Sequence, residues 1–149
     1  MNAFERHDRF DLSLNLSTSF GYYAEDDDNR RVLANVRSSL RDGGVFVIET
    51  VGKETLARIF TPSSVDSHED GTLIAQTRRV VDDWSRIESD WTIIRDGAAR
   101  TYRVEHWRYS ATEIKAMCRD AGFDRVEVYG SLGGTSYDHN SRRLVVVAN

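Results

Sequence analysis

Apolar and polar residues alternate over Phe10-Asp-Leu-Ser-Leu-Asn-Leu16, with Phe10, Leu12, Leu14 and Leu16 on one parity and Asp11, Ser13 and Asn15 on the other. A period of two predicts a β-strand with one apolar face. The acidic run Glu25-Asp-Asp-Asp28 then precedes Val32, Leu33, Val36 and Leu40, which share one face at helical spacing. Carboxylates at that point cap free N–H groups and complement the helix dipole, so the run reads as a helix start rather than a metal site. Gly43-Gly44 supplies a left-handed stop. Val45-Phe-Val-Ile48 follows as a continuous apolar run, the pattern of a strand covered on both faces. Strand, helix, Gly-Gly and strand make one βαβ unit, whose strands should run parallel with a right-handed crossover. A short helix is expected over 53–60, ended by Pro62.

The pattern then changes. Residues 72–81, 86–94 and 99–109 are rich in β-branched and aromatic side chains, and Asp96-Gly97 between the last two is a tight-hairpin signal. This predicts an antiparallel meander over 72–109. Ser110-Ala-Thr-Glu113 is a capping box opening a helix in which Ile114, Met117, Cys118 and Ala121 share a face. Val126 and Val128 mark a further strand, and a loop with Gly130, Gly133 and Gly134 leads to Leu144-Val-Val-Val147. The expected fold is α/β: a mixed sheet with an inserted antiparallel meander, in a single domain over residues 1–149.

Composition narrows the functional classes. With 40% hydrophobic and 30% charged residues and one proline in 149, the chain can bury a core and is not of disordered type. A net charge of −4 argues against a general nucleic-acid binder. Cys118 is the sole cysteine, which excludes an intrachain disulfide and fits a reducing compartment. The N-terminal residues carry no apolar leader, and no apolar run approaches the ~20 residues that span a bilayer. A cytoplasmic protein without membrane segments is expected.

Three blocks resemble class I S-adenosylmethionine-dependent methyltransferases. Phe10–Tyr23, with Asn15-Leu-Ser-Thr-Ser-Phe-Gly-Tyr22, is similar to the family's fourth strand and the segment after it. Val32–Thr50 resembles the following helix, Gly-Gly turn and fifth strand, with Asp42 where proline is usual. Tyr109–Val147 resembles the final helix, the Ala-Gly-Phe turn and the terminal hairpin, including Gly130 to Tyr137 and Ser141-Arg-Arg-Leu144. The resemblance implies a partial Rossmann-like methyltransferase fold, the C-terminal half from the fourth strand onward. The family's preceding strands carry a glycine-rich turn and a ribose-binding carboxylate. Here nine residues precede Phe10 and no Gly-x-Gly occurs, so the cofactor-binding half is expected to be absent.

The same resemblance implies S-adenosylmethionine as cofactor and a small-molecule methyl acceptor. Asn15, Thr18 and Ser19 would line the methionine end of the cofactor, and Tyr22 the acceptor. Their alternative reading is a turn whose hydroxyls cap backbone groups. Glu49 ends a buried parallel strand, where open α/β sheets bind ligands, and is the candidate acceptor contact or base; a solvated strand-end carboxylate is the alternative. His106, Trp107 and Arg108 lie in the meander, which would help cover the substrate, although Trp107-Arg108-Tyr109 replaces the family's Arg-x-Tyr. A structural histidine is the alternative for His106. His68 also lies near the meander, while His7 and His139 match no cysteine spacing, so no metal is assigned. Ser13, polar where the family has an apolar residue, is either a tolerated strand residue or the mark of a strand face without its covering helix.

Two functions lead, ahead of a small enzyme that uses the acceptor pocket for cofactor-free chemistry. One is a methyltransferase polypeptide completed by a partner, either a second copy or a separate N-terminal half-domain. The other is a non-catalytic binding or oligomerisation module derived from a methyltransferase. The strand at Phe10 would expose an open edge in either case, which predicts association.

Overall fold

A computed structural model describes residues 3–4 and 6–149. In chain order the elements are β1 (Phe10–Asn15), α1 (Asp26–Ser39), β2 (Leu40–Thr50), α2 (Lys53–Ile59) and β3 (Ser63–Ser67). They continue with β4 (Leu73–Val81), β5 (Arg86–Arg95), β6 (Ala98–Trp107), α3 (Ala111–Asp120), β7 (Val126–Tyr129) and β8 (Leu144–Ala148). They form two compact units, one of residues 1–58 with 109–149 and one of residues 59–108.

The first unit holds a mixed sheet in the order β1-β2-β8-β7. β1 runs parallel to β2, and β8 pairs antiparallel with both β2 and β7. The expected βαβ unit and terminal hairpin are therefore present, and the continuous apolar runs are the two interior strands. Phe46 and Ile48 of β2 stand beside Ala148 and Val146 of β8, and all four are fully buried. α1 and α3 pack on this face, and Phe46 stacks on Phe123 just beyond α3 with ring centroids 5.9 Å apart. Arg37 of α1 lies over the Phe123 ring and donates to the Gly122 carbonyl at 2.9 Å.

Two expectations are corrected here. α1 does not run to Gly43-Gly44. It ends at Ser39, where extended Leu40 turns its N–H back onto the carbonyls of Val36 and Arg37. Gly43, at φ 75°, belongs to β2 instead, in an irregular stretch where Asp11 alone faces residues 41–44, between the pairs Phe10 with Leu40 and Leu12 with Val45. The left-handed residue thus lies within a strand rather than at a helix end. A bulge of this kind uses the same conformation as a helix stop.

The second correction concerns which face of β1 is inside. Ser13 and Asn15 pair with Phe46 and Ile48, so the polar parity faces the helices, and Asn15 is buried. Leu12 and Leu14 pair with Val45 and Val47 on the opposite face and remain 54% and 53% exposed. Ser13 thus does not mark an uncovered face; the leucines do.

The second unit is one antiparallel sheet in the order β3-β4-β5-β6. It extends the expected meander by a strand, β3, and takes in residues from 59 rather than 72. Asp96 and Gly97 both have positive φ, as a tight hairpin turn with right-handed twist requires. One face carries ion pairs between neighbouring strands, Arg79 with Glu88 and Arg103 with Asp90. Trp91, Ile93 and Tyr102 lie on the other, partly exposed.

Candidate functional site in the first unit

The parallel strands β1 and β2 end side by side, and the chain leaving β1 turns across the end of β2. Asn15 closes β1. Leu16 then begins a tight turn in which its carbonyl accepts the Ser19 N–H at 3.3 Å. The Ser19 hydroxyl lies 2.8 Å from that carbonyl and 2.9 Å from Asn15 Oδ1, so the two side chains lock the turn from within. Ser17 and Thr18 at its crest have φ of 57° and 60°.

Glu49 receives this turn. Its carbonyl accepts the Thr18 N–H at 3.0 Å, and its Oε2 accepts the Ser17 N–H at 2.7 Å. Arg143, the residue before β8, pairs through Nε with Glu49 Oε1 at 2.8 Å and donates from Nη1 to Thr18 Oγ1 at 3.2 Å. The structure therefore brings four expected residues, Asn15, Thr18, Ser19 and Glu49, into one cluster. It adds Arg143, which the sequence reading passed over. Arg143 stands within the Ser141-Arg-Arg-Leu144 block, but nothing in its local pattern points to a carboxylate so far away in the chain.

The far end of the loop is fixed separately. Phe20 is buried with its ring 5.4 Å from that of Tyr109, and the Tyr109 hydroxyl donates to Asp26 Oδ1 at 2.7 Å. Burial, reinforced by the Asp26 hydrogen bond, pushes the Tyr109 phenol far above its ordinary pKa, so it stays a donor. Asn29, fully buried in α1, accepts the Tyr23 N–H and donates to the Glu25 carbonyl, both at 3.4 Å. This side chain ties the loop to the helix start, where Glu25 itself makes no side-chain cap. Tyr22, between the two anchors, is exposed.

A second cluster lies around α2. Tyr137 donates to Glu54 Oε2 at 3.0 Å, and Glu54 Oε1 accepts the Ala111 N–H at 2.9 Å. Thr55 is buried and donates to the Ser141 carbonyl at 3.1 Å. Burial pushes the Tyr137 phenol up to about 12. These bonds join α2, α3 and the loop before β8, which also sets the position from which Arg143 reaches Glu49.

The other three expected residues lie in the second unit. His106 is buried and pairs with Ile87 across the β5–β6 ladder. Trp107 faces the opposite side, beneath the Arg86 guanidinium at 5.4 Å from the ring centroid. Successive strand residues must alternate in this way, so one face of the sheet does not present both. The Arg108 N–H donates to the Ser85 carbonyl at 2.8 Å. Among the described residues no three His, Cys, Asp or Glu side chains cluster as a metal site, and no helix is long and apolar enough to cross a membrane. Cys118 is buried in the helix-covered core, which pushes its thiol up to about 12 and makes it packing rather than a nucleophile.

No family model matches the sequence, and no curated relative does. Solved structures do match. The CcbJ methyltransferase of Streptomyces caelestis aligns over 95% of this chain and 57% of its own, with 17% identity and a TM-score of 0.81. An S-adenosylmethionine-dependent methyltransferase of Clostridium acetobutylicum aligns over 99% of this chain and 61% of its own, with 14% identity and a TM-score of 0.81. The sugar N-methyltransferase KedS8 of a Streptoalloteichus species aligns over 99% and 58%, with 20% identity and a TM-score of 0.68. At these identities the likeness establishes the fold: a partial Rossmann-like methyltransferase fold, with the chain spanning about three fifths of each matched structure.

Proposed function

We propose that this chain forms the acceptor-side part of an S-adenosylmethionine-dependent methyltransferase acting on a small molecule, and that a second polypeptide completes the cofactor site. One observation carries the reading. The loop after β1 and the end of β2 are built into a single fixed cluster at the strand ends, in a sheet whose fold is that of solved methyltransferases.

Bound cofactor would supply an electrophilic methyl group on a sulfonium; the protein's part is to align that group with the acceptor. The residues fit the methionine end only. The N–H groups of Ser17, Thr18 and Ser19 are already taken within the cluster, so the turn would meet a ligand through the side chains of Ser17 and Thr18. The sequence contains no Gly-x-Gly to let a backbone approach the rest of the molecule. Asn15, Thr18 and Ser19 are assigned to the cofactor side and Tyr22 to the acceptor. The resemblance would also draw acceptor contacts from His106, Trp107 and Arg108 of the meander, but His106 and Trp107 lie on opposite faces of its sheet, so they cannot both serve. Glu49, with one oxygen on Ser17 and the other on Arg143, acts by shaping the loop; serving as a base would require it to release Arg143.

Two partners suit the open β1 edge, a second copy of the chain or a separate N-terminal half-domain, and the reducing cytoplasm suits the lone thiol. A non-catalytic binding or oligomerisation module is the second reading, in keeping with the lack of a Gly-x-Gly among these 149 residues. Calorimetric titration with S-adenosylhomocysteine tests the proposal. The isolated chain is expected to bind no tighter than roughly millimolar, about −4 kcal/mol. A low-micromolar constant for the monomer would overturn the shared-site reading.

A further inference from the structure

Ser17 and Thr18 are successive non-glycine residues in the left-handed region, and the second is β-branched. L-residues are disfavoured there because Cβ crowds the carbonyl, and branching worsens the crowding. Backbone of this kind persists only where its surroundings over-determine it. Here the determination comes from two residues. Glu49 takes the Ser17 N–H at its carboxylate and the Thr18 N–H at its carbonyl. Arg143 joins the other carboxylate oxygen to the Thr18 hydroxyl. The contacts form a closed ring from Thr18 to Glu49 to Arg143 and back. The Glu49 side chain is only 12% exposed, whereas that of Arg143 is 45% exposed. Without the cation, a nearly buried carboxylate would be left with one N–H donor, and its hold on Ser17 would loosen.

The geometry points to Arg143 as a positioning residue: it fixes the Glu49 carboxylate and, through it, holds the Leu16 to Ser19 turn in the left-handed conformation that receives the ligand. This rests on the reading that the turn meets the methionine end of the cofactor, and deepens it by assigning the turn's shape to a clamp outside the turn. An ordinary surface ion pair has no such effect on backbone. This one does because the same carboxylate accepts the Ser17 N–H.

Amide exchange followed by NMR separates the alternatives. In Arg143→Met, exchange at Ser17 and Thr18 is expected to quicken about tenfold while β2 and β8 stay protected. Millimolar S-adenosylhomocysteine should shift the Ser17 and Thr18 amides of the parent chain and shift them much less in the variant. Adding Ser17→Asn, a residue that tolerates left-handed backbone, should restore those ligand-induced shifts. Unchanged exchange at the two amides would overturn the clamp, and so would faster exchange throughout the sheet, which would make Arg143 a general stabilising residue. Failure of Ser17→Asn to rescue would also overturn it, since Arg143 would then contact the ligand itself. If the parent chain shows no ligand-induced shift, the claim that this chain alone presents the turn to the ligand falls, whereas the shared-site reading stands or falls on the calorimetric titration, and the local exchange result still decides the clamp.

Discussion

Glu113 serves two partners at the start of α3. Its Oε2 accepts the Ser110 N–H at 2.7 Å while the Ser110 hydroxyl accepts the Glu113 N–H at 3.2 Å, and its Oε1 meets Lys53 Nζ at 2.6 Å. Burial acts to raise its pKa, but the Lys53 ammonium and the Ser110 donors outweigh this and hold the carboxyl below its ordinary value. A carboxyl depressed on folding contributes stability that is present above its unfolded pKa and lost as pH falls through the folded one. Glu113→Gln is therefore expected to cost about 0.5–1 kcal/mol at neutral pH. The penalty should vanish at acid pH below the folded pKa, as read by urea unfolding across a pH series. A constant penalty would assign the effect to packing. The capping box could be read from the sequence because its two residues lie three apart. Arg143 could not, because its partner Thr18 is 125 positions away and only the folded sheet brings them together.

β2 shows how far periodicity carries at the scale of one element. Its continuous apolar run correctly implied an interior strand, but such a run does not say which parity meets the helices. In the structure Phe46 is fully buried against Phe123, whereas Val47 faces the half-open side beside Leu14. Phe46→Ala is expected to lower stability by about 3–5 kcal/mol, and Val47→Ala by about 1 kcal/mol or less. Equal costs in denaturant titrations would show that the face assignment is wrong. β1 is ambiguous for a related reason: alternation identifies two faces and does not say which of them meets the helices. In the structure Ser13 and Asn15 stand on the helix side. β3 escaped notice because Ser63-Ser-Val-Asp-Ser67 has little strand character of its own, and forms a strand by pairing with β4.

Across the whole molecule, the feature with the largest consequence for behaviour in solution is the outer side of β1. It pairs only with β2 among the described strands, and Leu12 and Leu14 are exposed beside it. Unpaired strand groups next to apolar surface favour association. Light scattering is expected to give a mass well above the 17.0 kDa of one chain at tens of micromolar. Leu12→Lys combined with Leu14→Lys should return it to a single chain without unfolding it. A parent protein already at 17.0 kDa would refute the expectation.

The way the second unit is spliced in has a different kind of consequence. The chain leaves the first unit after Arg58 and re-enters at Tyr109, and the Lys53 N–H donates to the Tyr109 carbonyl at 3.1 Å, so exit and return are stitched together within the first unit itself. Closing a longer detour between fixed ends costs little more than closing a short one, about 0.6 kcal/mol per doubling of length. The meander therefore behaves as a cassette. Its strands can be lengthened or exchanged while the mixed sheet keeps its register and the turn held by Glu49 stays untouched.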